Sequence, residues 1–319
     1  MASHCAPDVA PARWHSARVT PNPAPAFRLV PLRNGTLSLF AEAYGETMHP
    51  AIGPAAEAEA LYVRQLRLRE RLAGHPGEFV IWDVGLGGAA NAAAALHAAS
   101  DVGGSLHLVS FENSLGPVAF ALEHAAELGY LAGLEGSLRE LIERRSVDFS
   151  CGAARVRWDL RVADFPQLVA ATAAPSAEAL PAPHAILFDP FSPARNPAMW
   201  TLAVFTNLFR GLDPARPCAL ATYSRSTMTR VALLLAGFWV GSGEASGAKE
   251  ETTLAANSPA LLARPLDARW LERARRSDSA EPLHEAVYHR APLTPESWAR
   301  LRDHPQFALV EPSGSGPRP

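Results

Sequence analysis

The chain has 319 residues, of which 48% are hydrophobic and 19% charged, and its formal net charge is −3. This composition predicts a soluble, globular protein with one large domain or two ordinary ones. The small negative charge excludes a general attraction for polyphosphate, so contact with nucleic acid would need a local basic patch.

The cysteines and the apolar segments limit the cellular setting. Cys5, Cys151 and Cys218 are far apart and lack the spacing of a zinc site or a disulfide framework, which suits a reducing cytoplasm and predicts no metal. The N-terminus has no continuous apolar stretch of the kind found in signal peptides. The longest apolar segment is interrupted by polar residues and glycines, so no membrane span is expected.

In chain order, the two ends are predicted to be disordered. Residues 1–30 are rich in proline and alanine without apolar periodicity, and the tail at 308–319 is similar in character. Residues 31–76 form a lead-in with a helix at 54–72, and residues 77–256 form the main domain. Residues 257–307 form a mostly helical extension with a cluster of arginines, which is predicted to be a solvated helix face.

The main domain alternates short apolar segments with longer helical ones, the pattern of a parallel α/β sheet covered on both faces. The predicted strands are 78–85, 105–112, 153–161, 184–190 and 218–224. The predicted helices are 89–100, 117–131, 137–145, 165–173, 199–212 and 227–237. Two further strand-like pieces, 239–245 and 251–256, are joined by a turn. A closing antiparallel hairpin is typical of the class I methyltransferase variant of the Rossmann-like, doubly wound fold.

A glycine-rich segment, DVGLGGAAN at 83–91, connects the first predicted strand to a helix. Gly85 and Gly87 allow a tight turn and the close approach of a ligand to backbone N–H groups. Asp83 and Asn91, at the two ends of the segment, are predicted to belong to the same cofactor site. Because the third glycine of the dinucleotide motif is absent, S-adenosyl-L-methionine fits slightly better than NAD.

Three acidic residues end or follow predicted strands. Glu112 can accept hydrogen bonds from both ribose hydroxyls of a nucleoside, or it is an exposed strand end. Asp164 is placed to face an adenine amine, to cap the following helix, or to do both. Asp189 ends the fourth strand, at the sheet edge where open α/β folds bind ligands. The prolines of FDPFSPARNPAMW (188–200) make the loop after it stiff.

These segments resemble the MnmC-like methyltransferases, the transferase half of the bifunctional enzyme that completes 5-methylaminomethyl-uridine at the tRNA wobble position. The family loop D-G-F-A-P-x-K-N-P-x-M-W stands here as DPFSPARNPAMW (189–200), and the family motif E-T-G-F-G-T-G-L-N stands as residues 83–91. YGETMH at 44–49, SFE ending at Glu112 and SGAKEE at 246–251 also match. The resemblance covers roughly 37–256 and implies a stand-alone transferase, with any flavin-dependent oxidase as a separate partner.

The resemblance implies transfer of a methyl group from S-adenosyl-L-methionine to a primary amine on tRNA. Asp189 would act as general base or would contact the amino group of the cofactor, and these two roles stay open. Asn196 would hold the loop or the substrate. The predicted substrate-binding residues are Arg195, Phe191 and Trp200, the last with core packing as its alternative. Tyr44, Glu46 and His49 would cover the cofactor or lie on the surface.

Other classes of function remain open at this point. A methyltransferase or aminopropyltransferase acting on another small amine would use the same acids at the sheet edge, although the loop has no clear DxxD pair. A non-catalytic module that keeps the cofactor pocket is a second alternative, because the glycine motif departs from the family's. A nicotinamide-dependent dehydrogenase is a weaker third.

Overall fold

The computed structural model describes residues 27–50, 52–171, 180–243 and 251–308. The predicted disordered ends therefore lie outside the described residues, except for a few positions. Phe27–Pro31 forms a strand, so regular structure begins before residue 31, and Ala308 ends the last helix. The turn predicted at 246–250 also lies outside the described residues.

The main domain is built on an eight-stranded sheet in the order β10-β11-β9-β8-β4-β5-β7-β6. The strands are β4 (Glu78–Val84), β5 (Gly104–Glu112), β6 (Ser146–Cys151), β7 (Ala154–Val162), β8 (Ala185–Phe188), β9 (Ala219–Thr222), β10 (Trp239–Gly243) and β11 (Thr252–Ala256). The central five strands pair in parallel, whereas β11 runs antiparallel to both β9 and β10. The predicted doubly wound sheet with a terminal antiparallel hairpin is confirmed.

The strand β6 lies in a segment for which the sequence pattern predicts no strand. It pairs antiparallel with β7 through a turn at Gly152, whose φ of +56° is a conformation that glycine adopts without strain. Because β6 is an edge strand with only one well-buried position, Val147, its apolar signal is weak.

Helices cover both faces of the sheet, and each face has its own hydrophobic cluster. The helices of this domain are α3 (Ala90–Val102), α4 (Gly116–Glu123), α5 (Ala125–Leu128), α6 (Glu135–Arg144), α7 (Phe165–Ala171), α8 (Leu202–Arg210) and α9 (Thr227–Ala236). The prediction of a single helix at 117–131 is wrong, because the helix is interrupted at His124 and its second part ends before Gly129. The helix predicted from 199 begins instead at Leu202, because Thr201 caps it by accepting a hydrogen bond from the Val204 amide.

The N-terminal region forms a small antiparallel sheet and a bent helical segment. The sheet consists of β1 (Phe27–Pro31), β2 (Leu37–Ala41) and β3 (Glu46–Thr47). The helix predicted at 54–72 is interrupted: α1 (Pro54–Ala58) is followed by a π-helix (Glu59–Arg64) and, after the left-handed Arg67, by α2 (Leu68–Ala73). The bend matters for the site described below, because a π-helix changes which side chains face the sheet.

The C-terminal extension packs on the same face of the sheet as α8 and α9. It contains a 3-10 turn (Pro259–Leu261), α10 (Ala268–Arg275), α11 (Pro295–Arg302) and α12 (Pro305–Ala308). Trp270, Leu283 and Phe307 join the hydrophobic cluster of that face. The extension therefore shares the core of the main domain. Within the described ranges, no helix combines the length and the apolar character needed to cross a membrane.

Candidate active site

A cavity of about 760 Å³ opens at the carboxyl edge of the sheet. Its wall comes from the loops after β4, β5, β7 and β8, and from the N-terminal sheet with the residues that follow it. The predicted site residues that line it are Gly85, Gly87, Glu112, Asp164, Asp189, Phe191 and Asn196. Tyr44, Glu46 and His49, predicted to cover the cofactor or to lie on the surface, also line it.

The glycine-rich segment at 83–91, here called the glycine loop, passes close to the proline-rich segment at 189–200, here called the proline loop. A residue larger than glycine would not fit at the point of contact. Gly85 has a φ of +92°, and a Cβ built on it would lie 3.1 Å from the backbone oxygen of Asp189. Gly87, with a φ of +51°, faces the sulfur of Met48, 3.4 Å from the position a Cβ would take. The two glycines thus allow this loop to pass close to Asp189 and Met48.

Glu112 binds the glycine loop directly. Its carboxylate accepts hydrogen bonds from the amides of Gly87 at 2.9 Å, Asn113 at 2.9 Å and Ser114 at 3.4 Å. Burial raises the pKa of this carboxyl, and the three amide donors oppose that rise. The carboxylate is therefore held in one orientation at the cavity wall.

Asp164 caps a helix and also lies on the cavity wall. Its carboxylate accepts a hydrogen bond of 2.9 Å from the Gln167 amide and so caps α7, while the residue also lines the cavity.

Asp83 and Asn91 lie behind the glycine loop and not on the cavity wall. The Asp83 carboxylate accepts a hydrogen bond of 2.8 Å from Ser110, whose hydroxyl in turn accepts one of 2.9 Å from the Trp158 indole. Burial raises the pKa of Asp83 to about 7. Both residues were predicted to contact a cofactor, but the geometry gives them a supporting position, because their side chains bind protein groups beneath the loop.

Asp189 is positioned from two sides. Asn91 Nδ2 donates a hydrogen bond of 2.7 Å to its Oδ2, and Nε2 of His49 lies 3.8 Å from the same oxygen. The Asp189 amide donates to the backbone oxygen of Val84 at 3.0 Å, which continues the pairing of β8 with β4. The carboxylate therefore faces the cavity from the end of β8.

The loop after Asp189 is tied to the N-terminal sheet. Glu46 accepts hydrogen bonds from the amide and the hydroxyl of Ser192, the former at 3.2 Å. The rings of Tyr44 and Phe191 stack with centroids 4.0 Å apart. Tyr223 donates to the backbone oxygen of Pro190 at 2.9 Å. These contacts hold the loop in one conformation against the glycine loop.

The predicted substrate-binding residues occupy three different environments. Trp200 is only 1% exposed and donates its indole N–H to the backbone oxygen of Phe191 at 2.8 Å, so stacking of a base on Trp200 is wrong and the core alternative holds. Phe191 lines the cavity with one ring face covered by Tyr44. Arg195 is exposed beside Gly45, where a Cβ would lie 3.8 Å from its guanidinium.

Sequence patterns did not reveal three further residues around the cavity. Glu57 on α1 is 3% exposed and lines it. Tyr223 also lines it, and the buried Tyr62 donates to the backbone oxygen of Phe188 at 3.4 Å. Burial raises the pKa of both tyrosines, and the charge of Asp189 raises it further. The only sequence signal for these three residues is the apolar spacing around Tyr62, and that spacing predicts an ordinary helix.

The cavity is electronegative. Among the described residues, its lining includes five carboxyl groups and one imidazole but no Lys or Arg; the residues are Glu46, Glu57, Glu112, Asp164, Asp189 and His49. In the same part of the chain, no group of three or more His, Cys, Asp or Glu side chains is arranged to hold a metal ion. The lining suits a ligand with positive charge.

Comparison with known proteins agrees with this geometry. A family model described as "S-adenosyl-L-methionine-dependent methyltransferase" matches residues 136–258. The protein of Cupriavidus necator named "tRNA 5-methylaminomethyl-2-thiouridine biosynthesis bifunctional protein MnmC" is 31% identical over 252 residues, which is 73% of this chain and 36% of the relative. The protein of the same name from Methylibium petroleiphilum is 30% identical over 72% of this chain and 35% of its own length.

The chain thus spans about a third of the length of the curated relatives it matches. The crystal structure of MNMC2 from Aquifex aeolicus superposes with a TM-score of 0.63 and 22% identity, covering 90% of this chain and 86% of that one, and it supports the fold. The chain is therefore an MnmC-like, S-adenosyl-L-methionine-dependent methyltransferase.

Proposed function

We propose that this methyltransferase binds S-adenosyl-L-methionine in the cavity at the carboxyl edge and methylates the aminomethyl group of a wobble uridine in tRNA. The substrate follows from the name of the curated relatives, which are bifunctional proteins of tRNA 5-methylaminomethyl-2-thiouridine biosynthesis. The observation that carries the proposal is the position of Asp189, which faces the cavity beside the glycine loop and is held there by Asn91.

The residues present fit the cofactor. The glycine loop lines the cavity before α3, and Glu112 holds a carboxylate beside it for the ribose hydroxyls. Asp164 lies on the same wall and is assigned to the adenine amine. A cavity with five carboxylates suits a ligand that carries both a sulfonium and an ammonium group. When bound, the cofactor supplies an electrophilic methyl group.

Asp189 is assigned to the amine of the substrate. An alkylamine is largely protonated at neutral pH and must lose a proton before it can attack. Asn91 holds Oδ2 of Asp189, and we assign this carboxylate to bind the ammonium and take up its proton, directly or through water. The amine freed of one proton in this way would accept the methyl group, and the methylated nitrogen would then lose its second proton.

The alternative role of Asp189, contact with the amino group of the cofactor, predicts different kinetics. If Asp189 is the base, Asp189→Asn lowers kcat and leaves the Kd for the cofactor unchanged. If it is a cofactor ligand, the same change raises that Kd. Calorimetry with the cofactor, combined with a methyl-transfer assay, separates the two roles.

The RNA is assigned to the rim formed by the proline loop. Arg195 is exposed there and is suited to a phosphate, Phe191 offers one ring face to a base, and Asn196 lines the cavity near the assigned position of the amine. The proposal also includes a separate flavin-dependent oxidase that prepares the substrate. It places the protein in the cytoplasm.

Nucleoside mass analysis of tRNA from cells with and without this protein tests the substrate. We expect the methylaminomethyl form of the wobble uridine to disappear and the aminomethyl form to accumulate when the protein is absent. Restoring the wild-type chain should restore the methylated nucleoside, whereas Asp189→Asn should not. An unchanged nucleoside profile would refute the assignment to tRNA.

A further inference from the structure

His49 lies in the cavity wall beside the carboxylate that the proposed function assigns to the acceptor amine. Its Nε2 is 3.8 Å from Oδ2 of Asp189, and its side chain is 11% exposed. We propose that His49 accepts the proton that Asp189 removes from the acceptor ammonium, so that the imidazole and the carboxylate act together as one base. This inference rests on the proposed function and adds the residue to which the proton passes.

The backbone at His49 has an unusual conformation. Its φ is +50°, in the left-handed region that residues other than glycine seldom occupy. The residue before a proline normally adopts extended backbone, and His49 directly precedes Pro50. A conformation of this kind costs free energy and is found mainly at functional sites, where the surrounding structure enforces it. A task for the imidazole in the cavity accounts for this cost.

The residue before His49 is anchored through both of its backbone groups. The Met48 amide donates to the backbone oxygen of Leu39 on β2 at 2.8 Å, and the backbone oxygen of Met48 accepts from the Ser38 hydroxyl. The strand β2 therefore fixes the point at which the chain enters His49. The imidazole consequently has a defined position relative to Asp189.

The Asp189 carboxylate has a side-chain amide on one side and the imidazole on the other. Asn91 donates to Oδ2 at 2.7 Å from the side of the glycine loop. His49 approaches the same oxygen from the segment that follows the N-terminal sheet. The separation of 3.8 Å is longer than a hydrogen bond, and contacts of this kind often tighten only when the substrate is bound. A shift of about 1 Å brings Nε2 within hydrogen-bond distance.

The protons balance along this pair. The acceptor ammonium gives one proton to the Asp189 carboxylate. The Asp189 O–H then gives it to Nε2 of His49, which restores the carboxylate and leaves an imidazolium. This step uses the tautomer that carries its hydrogen on Nδ1, so that Nε2 has a free electron pair. Because an imidazole is a stronger base than a carboxylate, the pair removes the proton more completely than a carboxylate alone.

Chemical rescue tests this inference. Glycine is suited to a φ of +50°, so His49→Gly keeps the backbone and leaves space for free imidazole. Pyrazole has a ring of the same size but is a much weaker base. Single-turnover rates of methyl transfer to an anticodon stem-loop with 5-aminomethyluridine are measured for the wild type and His49→Gly, without additive, with imidazole and with pyrazole. The control is His289→Gly, which removes an exposed histidine of the C-terminal extension.

We expect His49→Gly to lower the single-turnover rate roughly a hundredfold, because a positioned proton acceptor contributes a factor of about this size. Its Kd for S-adenosyl-L-methionine should stay at the wild-type value, which also shows that the variant is folded. Imidazole should restore most of the rate, pyrazole should not, and His289→Gly should react like the wild type. If His49→Gly does not fold, His49→Asn tolerates the same φ and should show the same loss of rate with an unchanged Kd.

Three results would overturn the inference. His49→Gly, or His49→Asn in its place, could react at nearly the wild-type rate. The rate could fall without rescue by imidazole, or with equal rescue by pyrazole, which would make His49 a packing residue. The defect could appear only as a raised Kd for the cofactor, which would make His49 part of the cofactor's cover. If the wild type itself does not methylate this RNA, the proposed function fails, and this inference fails with it.

Discussion

The side-chain amide of Asn91 donates a hydrogen bond of 2.7 Å to Oδ2 of Asp189, across 98 positions of the sequence. Asn91 belongs to the helix after the glycine loop, and Asp189 begins the proline loop. The contact therefore joins the segment assigned to the cofactor with the carboxylate assigned to the acceptor. We therefore expect a change in one segment to affect the other.

Replacing Asn91 should impair catalysis by misplacing Asp189. We expect Asn91→Leu to lower kcat roughly a hundredfold, because a shift of about 1 Å in a positioned group has an effect of this size. The control is Asn207→Leu on α8, which lies away from the cavity and should leave kcat unchanged. Steady-state methyl transfer measures both, and equal rates for the two variants would contradict the positioning role of Asn91.

Glu46 should stabilise the closed arrangement of the proline loop. In Glu46→Ala, the amide and hydroxyl of Ser192 lose their acceptor, which costs about 1–3 kcal/mol in a partly buried site. We expect a lower free energy of unfolding and a Kd for S-adenosyl-L-methionine raised about tenfold.

Glu42→Ala is the matched control for Glu46→Ala. Glu42 lies four residues earlier and pairs with Arg28 on the exposed surface. An exposed ion pair of this kind contributes little, so we expect nearly wild-type behaviour. Denaturant unfolding and calorimetry give the two quantities, and indistinguishable results for the two variants would show that the Glu46 contact has no role.

Asp83 should make stability depend on pH. Burial raises its pKa to about 7, whereas an aspartate in the unfolded chain titrates near ~3.9. Between these values the folded chain holds a proton that the unfolded chain has lost. The free energy of unfolding therefore falls as the pH rises through this range, by at most about 1.4 kcal/mol per pH unit from this residue.

The variant Asp83→Asn isolates that contribution. Asparagine keeps an oxygen acceptor for Ser110 but does not titrate, so the variant should lose the part of the slope that Asp83 supplies. Urea unfolding of the cofactor-free wild type and variant between about pH 4 and pH 7 measures the difference. Parallel pH profiles for the two proteins would show that Asp83 titrates normally.

Much of the cavity could be predicted from short-range sequence patterns. Gly85 and Asp189 follow buried parallel strands and Glu112 ends one, and the carboxyl ends of such strands meet at one edge. The terminal hairpin also follows from the pattern, because the segment between its two strands is too short for a helix.

Other features depend on contacts that no local pattern encodes. The π-helix at Glu59–Arg64 has more residues per turn than an α-helix, and the continuous helix predicted at 54–72 does not account for it. The sequence motif suggests that Trp200 stacks on a base. Its side chain is instead buried, and its indole N–H donates a hydrogen bond to the backbone oxygen of Phe191. The edge strand β6 has too few buried apolar residues to be recognised as a strand from the sequence.

Methyl transfer by the purified protein tests the central claim most directly. The enzyme is mixed with S-adenosyl-L-methionine carrying an isotope-labelled methyl group and with tRNA that bears 5-aminomethyluridine at the wobble position, and the nucleosides are then analysed by mass spectrometry. We predict labelled 5-methylaminomethyluridine from the wild type and almost none from Asp189→Asn. No labelled nucleoside from the folded, cofactor-binding wild type would contradict the proposed function, and equal labelling by both proteins would contradict the role of Asp189.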